Sequence, residues 1–185
     1  MESNGKGTAF LRQLSAGRGE DCSYNFCYEN GSVAKKKRVM VVIDNSRQAK
    51  YAIIWALTHV ADRGDLLTLL HVVSAADGGA PLLANSLAAL CRACKPEVKV
   101  EVLVVRGPKL ATVLNQVRKL EASVLVLSQG KPSSFLCLMR SSSEKFVEDC
   151  INQADCLTLA VKKQSRGIGG FLVSTRWQKN FWLLA

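Results

Sequence analysis

The sequence predicts an α/β fold, an open doubly wound sheet of five parallel strands with helices on both faces. Three observations carry this. Five short aliphatic runs alternate with segments whose apolar residues return every three to four positions. The connections are helical and too long for hairpins, so successive strands pair in parallel through right-handed crossovers. At 185 residues, 48% of them hydrophobic, the chain is large enough for one domain with a real core.

The elements follow in order. Arg38–Asp44 (RVMVVID) is a continuous β-branched run, as expected of a strand covered on both faces. Ser46 is placed to cap the next helix, in which Ile53, Ile54, Leu57 and Val60 return at helical spacing. Leu66–Val73 (LLTLLHVV) reads as a second buried strand, and Pro81–Cys94 as a second helix with Leu83, Leu87, Leu90, Cys91 and Cys94 on one stripe. Val98–Val105 begins with alternation, which suits a sheet edge. Leu110, Val113, Leu114, Val117 and Leu120 mark a third helix. Val124–Leu127 is a fourth strand; Phe146, Val147, Cys150, Ile151 and Ala154 line a fourth helix; Leu157–Val161 is the fifth strand. Ligands of such sheets bind beyond the carboxyl ends of the strands, where strand order reverses.

This domain, residues 38–163, is flanked by two segments of different composition. Residues 1–37 lack sustained periodicity and are rich in Gly, Ser, Asn and charge, as expected of a mostly disordered basic arm. Residues 164–185 form a basic extension with Phe171, Leu172, Val173, Trp177, Phe181, Trp182, Leu183 and Leu184. Exposing each large apolar side chain would forfeit about 1.5–3 kcal/mol. The extension is therefore expected to pack on the domain, on a dimer mate, or on a membrane or partner. The net charge of +10 divides as +3 over Met1–Arg38, +2 over Val39–Val161 and +5 over Lys162–Ala185. A nucleic-acid-binding fold usually carries its charge on the domain itself; charge on arms points more weakly to RNA, DNA or an anionic membrane.

No apolar run approaches the ~18 residues of a membrane span, and the opening MESNGKGTAFLRQL is a poor secretory signal. Seven cysteines, an odd and scattered set, suit a reducing compartment, cytoplasm or also nucleus. KKKR at Lys35–Arg38 is either a short nuclear address or a solvated junction before the first strand.

The residues VMVVIDNSRQAKYAIIWAL at Val39–Leu57 resemble the opening of universal stress protein domains, a valine-rich strand, Asp-Gly-Ser and a helix with Ala-Leu-x-Trp-Ala. LLHVV at Leu69–Val73, ASVLVLSQGK at Ala122–Lys131 and ADCLTLAVKK at Ala154–Lys163 resemble later parts of the same domain in correct order. The tail GGFLVSTRWQKNFWLLA is similar to an extension of some plant members. The resemblance implies a Rossmann-like strand order 3-2-1-4-5 and homodimerisation, often through the last strand. It also implies two kinds of member, those that bind ATP and those that do not.

The binders carry Gly-x2-Gly-x9-Gly-Ser/Thr after the fourth strand, because glycine lets backbone N–H groups approach phosphate at a helix N-terminus. Here those glycine positions fall on Ser128, Lys131 and Ser141, followed by Ser142, and none is glycine. Starting instead at Gly130 places Ser133 and Ser143 at the other two positions, followed by Glu144, an acid near the phosphates. Pro132 removes a further N–H. The resemblance puts Asp44 at the adenosine-contacting aspartate and the backbone of Val72 and Val73 at the adenine edge. The candidate site is thus a degenerate ATP site of Asp44, Val72, Ser128, Gly130, Lys131, Ser141 and Ser142, with no cofactor expected and ATP as the alternative.

CRAC at Cys91–Cys94 sits at the C-terminal end of a helix with no second cysteine pair, so core packing is expected over zinc or redox chemistry. His59 and His71 belong to no nucleophile or metal pattern. The expected protein is a non-enzymatic stress-linked regulator or scaffold that dimerises and binds protein partners. An ATP-binding, slowly hydrolysing member is the alternative, and an RNA- or DNA-associated protein using its basic arms is a third reading.

Overall fold

Alternating strand and helix is what the chain does. β1 (Arg38–Ile43), β2 (Leu66–Val73), β3 (Lys99–Arg106), β4 (Val124–Ser128) and β5 (Leu157–Lys163) are interleaved with α1 (Arg47–His59), α2 (Ala80–Cys94), α3 (Lys109–Lys119) and α4 (Ser142–Gln153). β6 (Phe171–Ser174) and β7 (Phe181–Leu183) follow. The structure, a computed structural model, describes residues 36–73, 80–130, 142–164, 170–179 and 181–183, all within the compact unit Lys35–Ala185.

The strands form one sheet in the order β3-β2-β1-β4-β5-β6-β7. The first five pair in parallel, in the expected order 3-2-1-4-5. β6 then pairs antiparallel with β5, and β7 with β6, so the sheet has seven strands where five were expected. The two added strands have four and three residues, too few to show a period in sequence.

Strand alternation divides the core into two layers. Val39, Val41 and Ile43 face α1 and α2; Met40 and Val42 share a layer with Val113 and Val117 of α3 and Val147 and Cys150 of α4. Ala49, Ala52, Ile53, Trp55, Ala56 and Leu57 form the buried stripe of α1. Ile54, expected on that stripe, lies about 100° round the helix from Ile53 and is exposed. On α2, Leu87 and Cys91 are buried and Leu83 packs beside them, while Leu90 and Cys94 face outward. The stripe is narrower than the sequence suggests because α2 covers the edge of the sheet rather than its middle.

The KKKR run is partly structural. Lys37 Nζ pairs with Asp62 Oδ2 at 2.8 Å and Asp65 Oδ2 at 3.4 Å, and the hydrogen bond to Asp62 raises the Lys37 pKa. Arg38 bonds to Glu101 and to Thr68 Oγ1, tying β1 to β2 and, across it, to β3.

After β5 the chain returns as the β6–β7 hairpin. Ala160–Lys163 pair with Ser174–Phe171, and Val173 is fully buried in the α1–α2 layer with Phe171 packed against it. Thr175 closes the hairpin turn: its N–H donates to Gln178 O at 2.7 Å, and its Oγ1 accepts from the N–H groups of Trp177 and Gln178. Arg176 donates to the carbonyls of Ile151 and Asn152 at the C-terminal end of α4, where helix carbonyls lack partners. Trp177 does not pack on the domain and stands 80% exposed at the turn.

Candidate functional site

Strand register opens a crevice where the strand order reverses. β1 pairs with β2 as far as Ile43↔His71, and β2 continues on β3 through Val72↔Val105 and Val73↔Arg106. On the other side β1 pairs with β4 over Val39–Val41, while Leu127 and Ser128 pair only with β5. β2 therefore runs two residues past β1 and β4 parts from it beyond Val41, at the carboxyl end where open α/β sheets take ligands.

Asp44 stands at the foot of this crevice. Its Oδ1 accepts from Ser46 N–H at 2.9 Å, and Ser46 Oγ accepts in turn from Ala49 N–H at 3.3 Å, capping α1. Its Oδ2 lies 3.8 Å from Lys109 Nζ, with both side chains about two-fifths exposed, at 40% and 44%. Lys109 Nζ also sits 4.6 Å from the centroid of the Phe146 ring on α4. Lys109 thus brings charge to the crevice, and the sequence reading missed it. The available signal was a lysine following Gly107-Pro108, at a strand-to-helix corner on the ligand-facing end of the sheet.

Gly107 builds that corner. Its φ is +150°, and a Cβ there would meet Thr112 Oγ1 at 2.7 Å. Its N–H donates to Val73 O at 3.3 Å, so this carbonyl already has a partner at the expected adenine edge. Val72 is half-buried against the α3–α4 layer.

The phosphate side is different. Ser128 ends β4 half-buried, and the next residue, Gln129, donates its N–H to Val161 O at 2.8 Å. A Cβ built on Gly130 would meet nothing within 4 Å. Ser142, exposed, is the first residue of α4, and Glu144 occupies the first turn. A carboxylate there opposes a phosphate at the same helix end. Lys131 and Ser141 lie outside the described residues. Among the described residues, the Asp44 carboxylate has the chemistry to accept from ribose hydroxyls, and the Lys109 ammonium beside it that to meet a phosphate. They do not reproduce a glycine phosphate loop.

The remaining chemistry is structural. Burial pushes the Cys91 thiol up to about 11 and the Cys150 thiol up to about 12, and raises Cys156. Cys91 is buried and Cys94 exposed, so the C-x-x-C pair does not share one environment, and the expectation that both pack in the core holds for Cys91 alone. His59 stacks on Trp55 with ring centroids 5.2 Å apart, and His71 is buried in β2. Among the described residues there is no group of three or more His, Cys, Asp or Glu that could hold a metal ion. No helix among them is long and apolar enough to cross a membrane.

Known proteins agree with this architecture. Residues 36–162 match the family model of the universal stress protein family. Among solved structures, the chain is similar to a universal stress protein from Archaeoglobus fulgidus DSM 4304, with 22% identity and a TM-score of 0.53, over 67% of this chain and 43% of that one. It thus spans less than half of that archaeal chain. A universal stress protein in complex with cAMP is similar at 16% identity and a TM-score of 0.54, over 67% of this chain and 94% of that one. Another Archaeoglobus fulgidus universal stress protein is similar at 16% identity and a TM-score of 0.52, over 67% and 92% of the two chains. No curated protein matches the chain. With the family model covering well over half of its residues and the 3-2-1-4-5 sheet beneath them, the chain belongs to the universal stress protein family.

Proposed function

We propose that this protein is a non-enzymatic regulatory or scaffold module, which acts by self-association and by binding protein partners, and whose tight grip on nucleotide phosphate is lost. The observation that carries the reading is at the phosphate corner: Ser128, Lys131 and Ser141 stand where the binders' motif has glycine, and Glu144 occupies the first turn of α4. Nucleotide there would face a carboxylate without the compensating glycine backbone. Because β5 holds β6 along Ala160–Lys163, the dimer contact implied at the last strand moves outward to the hairpin, whose β7 ends the sheet. Isothermal titration with Mg-ATP, with light scattering on the same sample, tests this. The expected result is no saturable micromolar heat and a mass of two chains. Saturable micromolar heat, lost in Asp44→Ala, overturns it.

A second reading, an adenine-nucleotide binder with slow hydrolysis as a further step, is favoured by the crevice itself. Asp44 would accept from ribose hydroxyls, the Val72 backbone would meet the adenine edge, and Lys109 would neutralise phosphate. A fold neighbour, a universal stress protein in complex with cAMP, supports an adenine-nucleotide ligand for this reading. The same titration separates the two readings.

A further inference from the structure

One helix of the domain is apolar on both sides. Of the residues of α2, Ala80–Cys94, only Arg92 is charged. Ala84, Leu87, Ala88 and Cys91 are buried, the inner stripe of an ordinary amphipathic helix. The outer side repeats the pattern. Leu82, Ser86, Ala89, Leu90 and Ala93 recur at helical spacing and all are exposed, Leu82 by 78% and Leu90 by 47%. α1 and α3 instead turn charge to solvent, Arg47 and Lys50 on one, Arg118 and Lys119 on the other. A helix that is apolar all round is ordinarily buried all round, and α2 is covered on one side only.

The uncovered side borders a groove. α1 and α2 each link neighbouring parallel strands, so they run in the same direction within one layer. Lys95, just past the end of α2, donates to Leu57 O at 2.9 Å and Ala61 O at 2.7 Å, which holds the two C-terminal ends together. Ile54 shares the stripe of Leu57 on α1, and Leu90 shares that of Leu83 and Cys94 on α2, so both stand over this seam. Ile54 is 45% exposed, nearly the same as Leu90. Large apolar side chains exposed together on adjacent helices mark an interaction site, as scattered ones do not. Neither helix contains an Asp or Glu, while Arg47, Lys50 and Arg92 are exposed. Lys50 lies one turn before Ile54 on the same stripe. The surface is thus apolar at its centre and positive around it. A second copy would set these cations against their own kind with no carboxylate from either helix between them. The fit is to opposite charge, and a groove between two helices takes the apolar stripe of a third.

We propose that this groove docks an amphipathic helix of a partner protein, its apolar stripe on Ile54, Leu82 and Leu90 and its acidic flank toward Lys50. The inference rests on the partner-binding reading of the protein and gives that reading a surface and a partner chemistry. The test uses the full chain and two synthetic helical peptides of about the length of α2. Both carry the same leucine stripe, flanked by glutamate in one and by lysine in the other. Fluorescence anisotropy is read without nucleotide, so saturable heat with Mg-ATP would bear on the earlier reading alone. The glutamate peptide is expected to bind saturably, about tenfold or more tighter than the lysine peptide, and to weaken as salt rises. Leu82→Gln with Leu90→Gln should weaken it by about tenfold or more at an unchanged urea midpoint. Leu82→Gln alone, at the most exposed position, should act in the same direction. Lys50→Glu should narrow the preference between the peptides, and Val104→Gln at the open sheet edge should change neither. Absence of saturable binding overturns the proposal, as do equal affinity for the two peptides and binding that survives the leucine substitutions. A mass of two chains that falls to one in the leucine variant overturns it by assigning the groove to a second copy. Sedimentation with phosphatidylserine vesicles that is lost in the same variant, without binding of the glutamate peptide, overturns it in favour of a membrane.

Discussion

At one edge of the sheet β3 is open: Lys99, Val104 and Arg106 are exposed and the residues between them half-buried. At the other, β5 is an apolar run buried over Thr158–Val161 and covered by β6, whose Val173 is buried in the α1–α2 layer. Both arrangements blunt an edge that could otherwise pair with another chain, one by charge and alternation, the other by cover. The difference shows why β5 can afford so apolar a sequence. It is an edge strand of the five-stranded domain but an interior strand of this protein.

Substitutions at matched positions would break this comparison most sharply. Val173→Asp buries an unpaired charge and is expected to cost about 3 kcal/mol or more, read as a fall in the urea midpoint. Val104→Asp on the open edge should stay within about 0.5 kcal/mol, and a comparable loss at both sites would mean that the hairpin adds no real cover. At the crevice end of β3, Gly107→Ala forces a Cβ against Thr112 Oγ1 at φ +150° and should cost about 1–3 kcal/mol in the same measurement. Gly130→Ala, in open space, should be neutral within about 0.5 kcal/mol.

Arg176→Ala removes the hairpin's hold on the Ile151 and Asn152 carbonyls. It should cost about 0.5–1.5 kcal/mol and speed hydrogen exchange in β6 while leaving β3 unchanged. The smallest effect comes from the buried thiols, Cys91 on α2 beside the open edge and Cys150 on α4 beside the covered one. Both pKa values are raised above the ordinary 9.0, Cys91 to about 11 and Cys150 to about 12. The folded state therefore keeps protons that the unfolded chain releases. Their stability contribution is full below pH 9 and is lost as pH rises through 9 towards 11 for Cys91 and 12 for Cys150. At pH 9 each thiol costs about 0.4 kcal/mol, and Cys91→Ala should flatten the slope of urea midpoint against pH.

Most of the domain was legible because its signals are local and repeated. Continuous aliphatic runs such as Val39–Ile43 mark strands buried on both faces, and the period of Val113, Leu114 and Val117 marks a helix. The open edge was legible too, in the alternation that begins β3. Of the candidate site, the family resemblance supplied Asp44 and Val72, and the structure puts both at the carboxyl ends of their strands. Lys109 was missed because its role depends on Asp44 and Phe146, which are distant in sequence.

The amino-acid sequence by itself determined the α/β class, the five parallel strands and the loss of glycine from the phosphate motif. Periodicity and residue type act over a few neighbours, and no distant contact is needed to read them. Only the tertiary structure decided that the tail becomes β6 and β7, that Cys94, Ile54 and Trp177 face outward, and that Lys109 meets Asp44 at the crevice. These outcomes depend on which strand edge is left unpaired and which helix face meets the sheet, and both are set by segments far apart in the chain.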